Sequence, residues 1–63
     1  MEKSDFTILV ADDDPDYLFQ TVNNLGRAGY KTVAVESQAE AESVIQKMKP
    51  SLAIIDLMME YED

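Results

Sequence analysis

Two uninterrupted apolar runs constrain what this chain can fold into. Residues Ile8 to Ala11 and Leu52 to Ile55 each contain four apolar residues with no polar residue between them. A strand with water on one face alternates apolar and polar residues, whereas a strand covered on both faces reads as a continuous apolar run. The two runs therefore predict buried strands of a parallel sheet, the first over Phe6 to Ala11 and the third over Leu52 to Ile55.

The first helix is predicted between Pro15 and about Ala28. Pro15 suits the first helical position and Asp14 suits its N-cap, and apolar residues then recur at helical spacing. We expect Gly29 to stop this helix in the left-handed conformation, which a glycine adopts without a steric penalty.

A second helix is predicted after Ser37. Ser37 and Glu40 have the spacing of a capping box, in which the hydroxyl and the carboxylate each accept a hydrogen bond from a free backbone N–H. The helix should end near Lys49, because Pro50 cannot continue it. Its apolar face is predicted to consist of Ala41, Val44, Ile45 and Met48.

The remaining strand, Lys31 to Glu36, decides the topology. Its valines alternate with Thr32 and Ala34, which is typical of a half-buried edge strand. The chain therefore reads β-α-β-α-β, an α/β fold with right-handed crossovers. Strand order 1-2-3 would put both helices on one face. Order 2-1-3 would put them on opposite faces and the first strand in the centre, and the all-apolar first strand and the alternating second strand favour it.

Acidic residues follow the first and third strands. Asp12, Asp13 and Asp14 end the first strand, and Asp56 ends the third. Taken locally, these residues also suit a solvated acidic loop with one N-cap and a carboxylate that caps the next turn. Order 2-1-3, however, makes the two strands neighbours and brings both groups to one sheet edge, where open α/β sheets bind ligands.

Carboxylates that converge in this way must raise their pKa values or hold a cation. The chain has no histidine and no cysteine, so the ligands are oxygens and the cation would be hard: Mg²⁺, with Mn²⁺ or Ca²⁺ as substitutes. A carboxylate that remains ionised can act as a nucleophile and form an aspartyl phosphate. The same composition excludes histidine- and cysteine-based catalysis and a phosphorylatable histidine.

The net charge of −8 argues against unaided nucleic-acid binding and suits a cation or a basic protein partner. No apolar run is long enough to span a membrane, and residues 1–5 are too polar to begin a signal peptide. A cytoplasmic location is therefore expected.

The run from Ile8 to Asp16, the Gly29–Tyr30 turn and the run from Ala53 to Met59 resemble the receiver domain of bacterial response regulators. The resemblance covers residues 1–63, which align with the first half of that family's flavodoxin-like domain, a doubly wound parallel sheet. Either motif alone would be weak, and together they are specific.

The resemblance implies a role for each matching residue. Asp56 would be the phosphoacceptor, and Asp12 and Asp13 would be the acidic pair that organises Mg²⁺ together with it. The backbone carbonyl of Met58 would be a further metal ligand. The phosphoryl donor would be a phosphohistidine on a sensor histidine kinase or a histidine phosphotransfer protein, and the chain would be a phosphoacceptor rather than an enzyme.

The sequence departs from that family in two ways. Glu60 stands where the family usually has proline. Residues 1–63 also contain no counterpart of the family's fourth and fifth strands, its switch serine or threonine, or the lysine that pairs with the phosphoryl group. The chain is then expected to be half of a receiver, by natural truncation, proteolysis or design, and its phosphorylation is expected to be impaired.

Three functions stay open at this stage. The first is a phosphoacceptor signalling domain. The second is a non-switching interaction module that dimerises or binds a kinase. The third is an aspartate-nucleophile phosphatase, which fits less well because such enzymes usually carry the nucleophile and the acid on one strand and loop. In order 2-1-3 the third strand would be an apolar edge strand, so we expect a homodimer. Its two copies would pair through that strand or pack through their helices and sheet faces; we favour contact through the strand, with Leu57, Met58 and Met59 joining the interface.

Overall fold

The computed structural model describes residues 2–56, apart from the Ser4 side chain. After a 3-10 turn at Lys3–Asp5, the elements alternate as β1 (Thr7–Ala11), α1 (Pro15–Arg27), β2 (Lys31–Val35), α2 (Gln38–Met48) and β3 (Leu52–Ile55). The three strands form one parallel sheet in the order β2-β1-β3. The predicted β-α-β-α-β fold and the 2-1-3 strand order are therefore confirmed.

The central strand supplies both halves of the hydrophobic core. Ile8 and Val10 face α1, where they pack with the buried Leu18 and with the partly buried Val22, Leu25 and Tyr30. Leu9 and Ala11 face α2, where they pack with Val35 and Ala41 and with the partly buried Val33 and Val44. The helices therefore cover opposite faces of the sheet, as order 2-1-3 requires. Val10 and Leu9 are almost completely buried, at 1% and 0% exposure.

The helix ends follow the sequence signals closely. The Asp14 side chain caps α1, and Pro15 is the first residue of that helix. Gly29 closes the turn after α1 with φ of +100°, the left-handed conformation expected of it. Lys49 caps α2 at its carboxyl end and is also left-handed, with φ of 49°.

Only one of the two predicted hydrogen bonds of the capping box forms at α2. The backbone N–H of Glu40 donates to the Ser37 hydroxyl at 3.2 Å, as predicted. The Glu40 carboxylate instead accepts a hydrogen bond from that same hydroxyl, also at 3.2 Å, where a backbone N–H had been expected. The hydroxyl is both a donor and an acceptor, so it satisfies the carboxylate locally.

Taken alone, the apolar run of β3 predicted cover on both faces, which the described part of the chain does not provide; the expectation that order 2-1-3 makes β3 an exposed apolar edge strand is confirmed. Leu52, Ile54 and Ile55 are 55%, 40% and 43% exposed. The reason is position: β3 is an edge strand, and α1 and α2 pack mainly over β1 and β2. An apolar run indicates that a strand can be buried on both faces, but burial also requires other elements that pack against each face.

Among residues 2–56, no helix is long and apolar enough to cross a membrane. The predicted metal-ligating carbonyl of Met58, the departure at Glu60 and the interface residues Leu57 and Met59 lie outside the described residues.

Candidate metal site at the carboxyl edge of the sheet

The sheet register places Asp12 and Asp56 side by side. Ala11 and Ile55 are paired on the neighbouring strands β1 and β3, and each aspartate is the next residue along its strand. Backbone hydrogen bonds continue past the ends of the strands, because the Asp56 N–H donates to the Ala11 carbonyl at 2.9 Å. The Asp12 N–H likewise donates to the Val35 carbonyl of β2 at 3.2 Å. Both carboxylates therefore start from fixed backbone positions.

Three of the predicted side chains come together at this edge. Asp12, Asp13 and Asp56 each offer a carboxylate oxygen, and these oxygens lie within 4.8 Å of one another. Asp12 is buried at 5% exposure, Asp56 is half-buried and Asp13 is exposed. The topology thus unites the acidic pair after β1 with the aspartate after β3, as the sequence predicted.

The cluster has the chemistry of a hard-cation site. Two unit negative charges about 5 Å apart repel by ~3 kcal/mol at an effective dielectric constant of 20. A divalent cation held between the carboxylates would replace this repulsion with attraction, and Mg²⁺ is commonly bound by one or two carboxylates while it keeps several waters. Asp12, Asp13 and Asp56 therefore fit Mg²⁺ in ligand type and spacing.

Asp14 has a different role from Asp12 and Asp13. Its side chain accepts hydrogen bonds from the N–H groups of Asp16 at 3.0 Å and of Tyr17 at 3.4 Å, which are free donors in the first turn of α1. This is the predicted N-cap. The same first turn lies at the acidic edge, and the partial positive charge of a helix amino terminus favours nearby anions.

One contact of the site was not predicted. The backbone N–H of Asp14 donates to Oδ1 of Asp12 at 2.9 Å, so the buried carboxylate is held by its own loop. The signal for it was present in the sequence, because an aspartate commonly accepts a hydrogen bond from the backbone two residues further on.

A crevice of about 400 Å³ opens beside the carboxylates. It lies between the carboxyl ends of β1 and β3 and the first turn of α1. Its apolar wall is formed by β1 and β3, and Tyr17 of α1 also lines it. The residues that line it are Val10, Ala11, Asp12, Asp14, Tyr17, Ile54, Ile55 and Asp56.

The basic residues lie at the other end of the molecule. None of them lines the crevice. All are at or before the amino ends of the strands, in the 3-10 turn, at the carboxyl ends of the helices, or at the first residue of β2: Lys3, Arg27, Lys31, Lys47 and Lys49. The Lys3 ammonium lies 5.8 Å from the centre of the Tyr30 ring.

Comparison with known proteins connects this geometry to one family. The family model of the response regulator receiver domain matches residues 8–63. The chain is 30% identical over 57 residues to the photosynthetic apparatus regulatory protein RegA of Rhodobacter capsulatus. That match covers 90% of this chain and 31% of the relative, so the chain spans about a third of the relative's length. No solved structure matches the chain at a significant level.

Proposed function

The chain belongs to the response regulator receiver domain family, and from this we propose that it is a phosphoacceptor of a two-component signalling system, phosphorylated on Asp56. The observation that carries the proposal is the convergence of the Asp12, Asp13 and Asp56 carboxylates at the carboxyl edge of the sheet. Of the three, Asp56 directly follows β3, and it lines the crevice together with Asp12.

The reaction is a phosphoryl transfer to a carboxylate. A carboxylate oxygen of Asp56 forms a bond to phosphorus, and the phosphorus–nitrogen bond of the donor's phosphohistidine breaks. The imidazole nitrogen that leaves keeps the bonding electron pair and takes a proton. The donor would be a sensor histidine kinase or a histidine phosphotransfer protein, and the exchange is proposed to occur in the cytoplasm.

We further propose that the site works with Mg²⁺. Asp12, Asp13 and Asp56 would hold the ion, together with the backbone carbonyl of Met58. When bound, Mg²⁺ would offset the charge of the carboxylates and of the phosphoryl oxygens. Asp12 is suited to this role because the hydrogen bond from Asp14 fixes one of its oxygens at 2.9 Å.

Phosphorylation of a single copy of this chain is proposed to be slow. A preorganised positive charge beside the transferring phosphoryl group is often the largest catalytic contribution. All five lysines and arginines lie within the described residues, and none of them lines the crevice. The chain would then be a receptor of phosphoryl groups with little capacity to accelerate the transfer, rather than an enzyme with turnover.

A second candidate function is an interaction module that no longer switches. It is favoured by the exposed apolar residues of β3, which suit a homodimer formed through that strand. In this alternative Asp56 would stay unmodified, and the module would act by dimerisation or by occupying a kinase.

Intact-mass measurement separates the two functions. The chain is incubated with Mg²⁺ and acetyl phosphate or a phosphorylated donor protein, and the gain of one phosphoryl group is followed in time. Asp56→Asn should abolish the gain, whereas Asp16→Asn is a matched control, because Asp16 is an exposed carboxylate near the same edge and outside the cluster. A chain that gains no phosphoryl group from any donor would contradict the phosphoacceptor role, and turnover of a small phosphoester would indicate a phosphatase instead.

A further inference from the structure

The exposed side of α1 carries little charge. The ten residues from Tyr17 to Gly26 include no acidic and no basic residue, although 29% of the whole chain is charged. Two aromatic residues of this stretch are largely exposed, Tyr17 at 58% and Phe19 at 67%. A helix face turned to water is ordinarily rich in charged residues, whereas the centre of a protein–protein interface is depleted in charge and enriched in aromatic side chains. The exposed side of α1 therefore has the composition of an interface.

The outermost ridge of α1 ends in opposite charges. Four exposed residues follow one another at spacings of four, three and four, which places them on one side of the helix: Asp16, Gln20, Asn23 and Arg27. At about 100° per residue, this side lies opposite the one that carries the buried Leu18. Asp16 is in the first turn and Arg27 is in the last. A ridge with an acid at one end and a base at the other is complementary to an antiparallel copy of itself.

Gly26 has no evident role within one copy of the chain. It lies inside α1, where a glycine is destabilising relative to alanine. Its φ is not positive, in contrast to that of Gly29. A Cβ atom built at Gly26 would meet no other atom within 4 Å among the described residues. One copy therefore needs neither the conformational freedom of this glycine nor the space beside it, which leaves the space to a contact from outside.

We propose that two copies of this chain associate through α1, antiparallel about a twofold axis, with Phe19 of each copy packed over Gly26 of the other. Each Asp16 then lies opposite Arg27 of the other copy, so both ends of the contact join opposite charges. The ridge is neutral in sum, and it therefore offers two chains that each carry a net charge of −8 a face on which they can meet. It faces away from the sheet, so the pairing does not involve β3.

The two ion pairs fix the register of the helices. With Asp16 opposite Arg27 in both directions, Phe19 is level with Asn24 of the other copy. Asn24 is two residues from Gly26, which corresponds to about 3 Å along a helix. Phe19 and Gly26 are seven residues apart, close to two turns, so they share one flank of α1. A twofold axis perpendicular to the helices and parallel to their interface brings identical flanks together, and the ring of Phe19 can enter the space that Gly26 leaves open.

The pairing would be weak, because the contact is small. The 13 residues of α1 span about 20 Å. A stable interface usually buries about 800 Å² on each partner, which is more than one ridge of this length provides. Exposed ion pairs also contribute little each, and Phe19 against Gly26 is the main apolar contact. We therefore expect a dimer that forms at high chain concentration and dissociates on dilution.

Sedimentation velocity of the full chain over a range of concentrations tests the packing. We expect the mass to rise from 7.1 kDa toward twice that value. Phe19→Ala and Gly26→Leu should each raise the dissociation constant at least about tenfold, since each symmetric pair loses two apolar contacts. The matched controls on α2, Met48→Ala and Ala39→Leu, change exposed residues and should have little effect. Circular dichroism of Gly26→Leu should show at least the original helix content, so unfolding would not explain its effect.

Charge reversal tests the antiparallel register. Asp16→Arg and Arg27→Asp each place like charges opposite one another at both ends and should each weaken association about tenfold. An equimolar mixture of the two variants should restore it, because each end of a mixed pair again joins opposite charges. The same exchange on α2, Glu42→Arg with Lys47→Asp, is the control for the change in net charge and should show no such pattern.

Three results would overturn the proposal. The first is a folded chain that stays monomeric at every concentration. The second is a dimer that Phe19→Ala and Gly26→Leu weaken no more than their controls do. The third is a mixture of the two charge variants that associates no better than either alone. A monomeric chain whose phosphoryl transfer from a donor protein is slowed by Phe19→Ala and Gly26→Leu would assign the face to that donor instead. Because association is measured without phosphorylation, failure of the phosphoacceptor role would leave the pairing in place.

Discussion

The backbone N–H of Asp14 donates a hydrogen bond of 2.9 Å to Oδ1 of Asp12. The same Asp14 caps α1 with its own carboxylate, so one residue fixes both the helix start and a candidate metal ligand. The acidic run after β1 is therefore divided by function. Asp12 and Asp13 point to the cluster, whereas Asp14 serves the backbone.

We expect Mg²⁺ affinity to depend on three carboxylates and not on their acidic neighbours. Asp12→Asn, Asp13→Asn and Asp56→Asn should each weaken binding at least about tenfold, since even loss of an outer-shell partner can cost that much. Asp16→Asn is the control. The measurement is a Mg²⁺ titration that follows backbone amide shifts, and shifts confined to residues 60–63 would contradict a site at the carboxyl edge.

Loss of the α1 cap should lower stability without removing the metal site. Asp14→Ala leaves two first-turn N–H groups without their side-chain acceptor and should reduce the free energy of unfolding by about 1 kcal/mol. Asp13→Ala, an exposed residue that does not cap α1, should change it much less. Urea unfolding at one fixed chain concentration measures both, because a dimer's stability depends on concentration. Equal losses in the two variants would argue against the cap as the cause.

The core prediction compares two leucines. Leu9 is fully buried in β1, and Leu9→Ala should cost about 2–5 kcal/mol. For a chain of 63 residues this is most or all of the stability, because small domains are only marginally stable. Leu52→Ala, at 55% exposure, should cost far less in a single copy. Circular dichroism during thermal unfolding distinguishes the two, and a folded Leu9→Ala variant would show that β1 does not hold the core together.

A charged residue introduced on β3 should destabilise the fold more than one introduced on β2. Val10 pairs with Ala34 on one side and with Ile54 on the other, so both residues lie on the α1 face, one on each outer strand. Ile54→Lys should unfold the chain rather than give a well-folded monomer, because β3 would lose the apolar contact that stabilises it. Ala34→Lys, at an exposed position, should remain folded. A stable, monodisperse Ile54→Lys monomer would show that β3 needs no partner.

Mg²⁺ removal gives a prediction for the chemistry itself. Phosphorylation of Asp56 by acetyl phosphate should be slow in dilute chain and should stop when a chelator removes the metal. The readout is intact mass over time, with Asp56→Asn as the blank. Rapid, stoichiometric modification that persists in the chelator would contradict both the metal requirement and the need for an added positive charge.

Much of the fold could be predicted because the signals for each helix and strand agree with the strand order that the apolar patterns of the strands favour. The alternating valines of β2 placed it at an edge, and the continuous run of β1 placed it in the centre, so the strand order and the meeting of Asp12 with Asp56 followed from topology. Exposure of Ile54 and Ile55 could not be read from their own run, because it depends on what lies beyond the strand. The hydrogen bond from the Ser37 hydroxyl to the Glu40 carboxylate depends on side-chain rotamers, which residue spacing does not specify.

The separation of charge along the strands also has a consequence for reaction rates. The carboxylates at the crevice and the net charge of −8 would repel small anions that approach Asp56 and would attract a proposed donor with a basic surface. Added salt should then speed the encounter with acetyl phosphate and slow the encounter with a basic donor protein. If the proposed phosphorylation occurs, the absence of a lysine or arginine from the lining of the crevice would thus favour a basic donor protein over a small anionic donor before any contact is made.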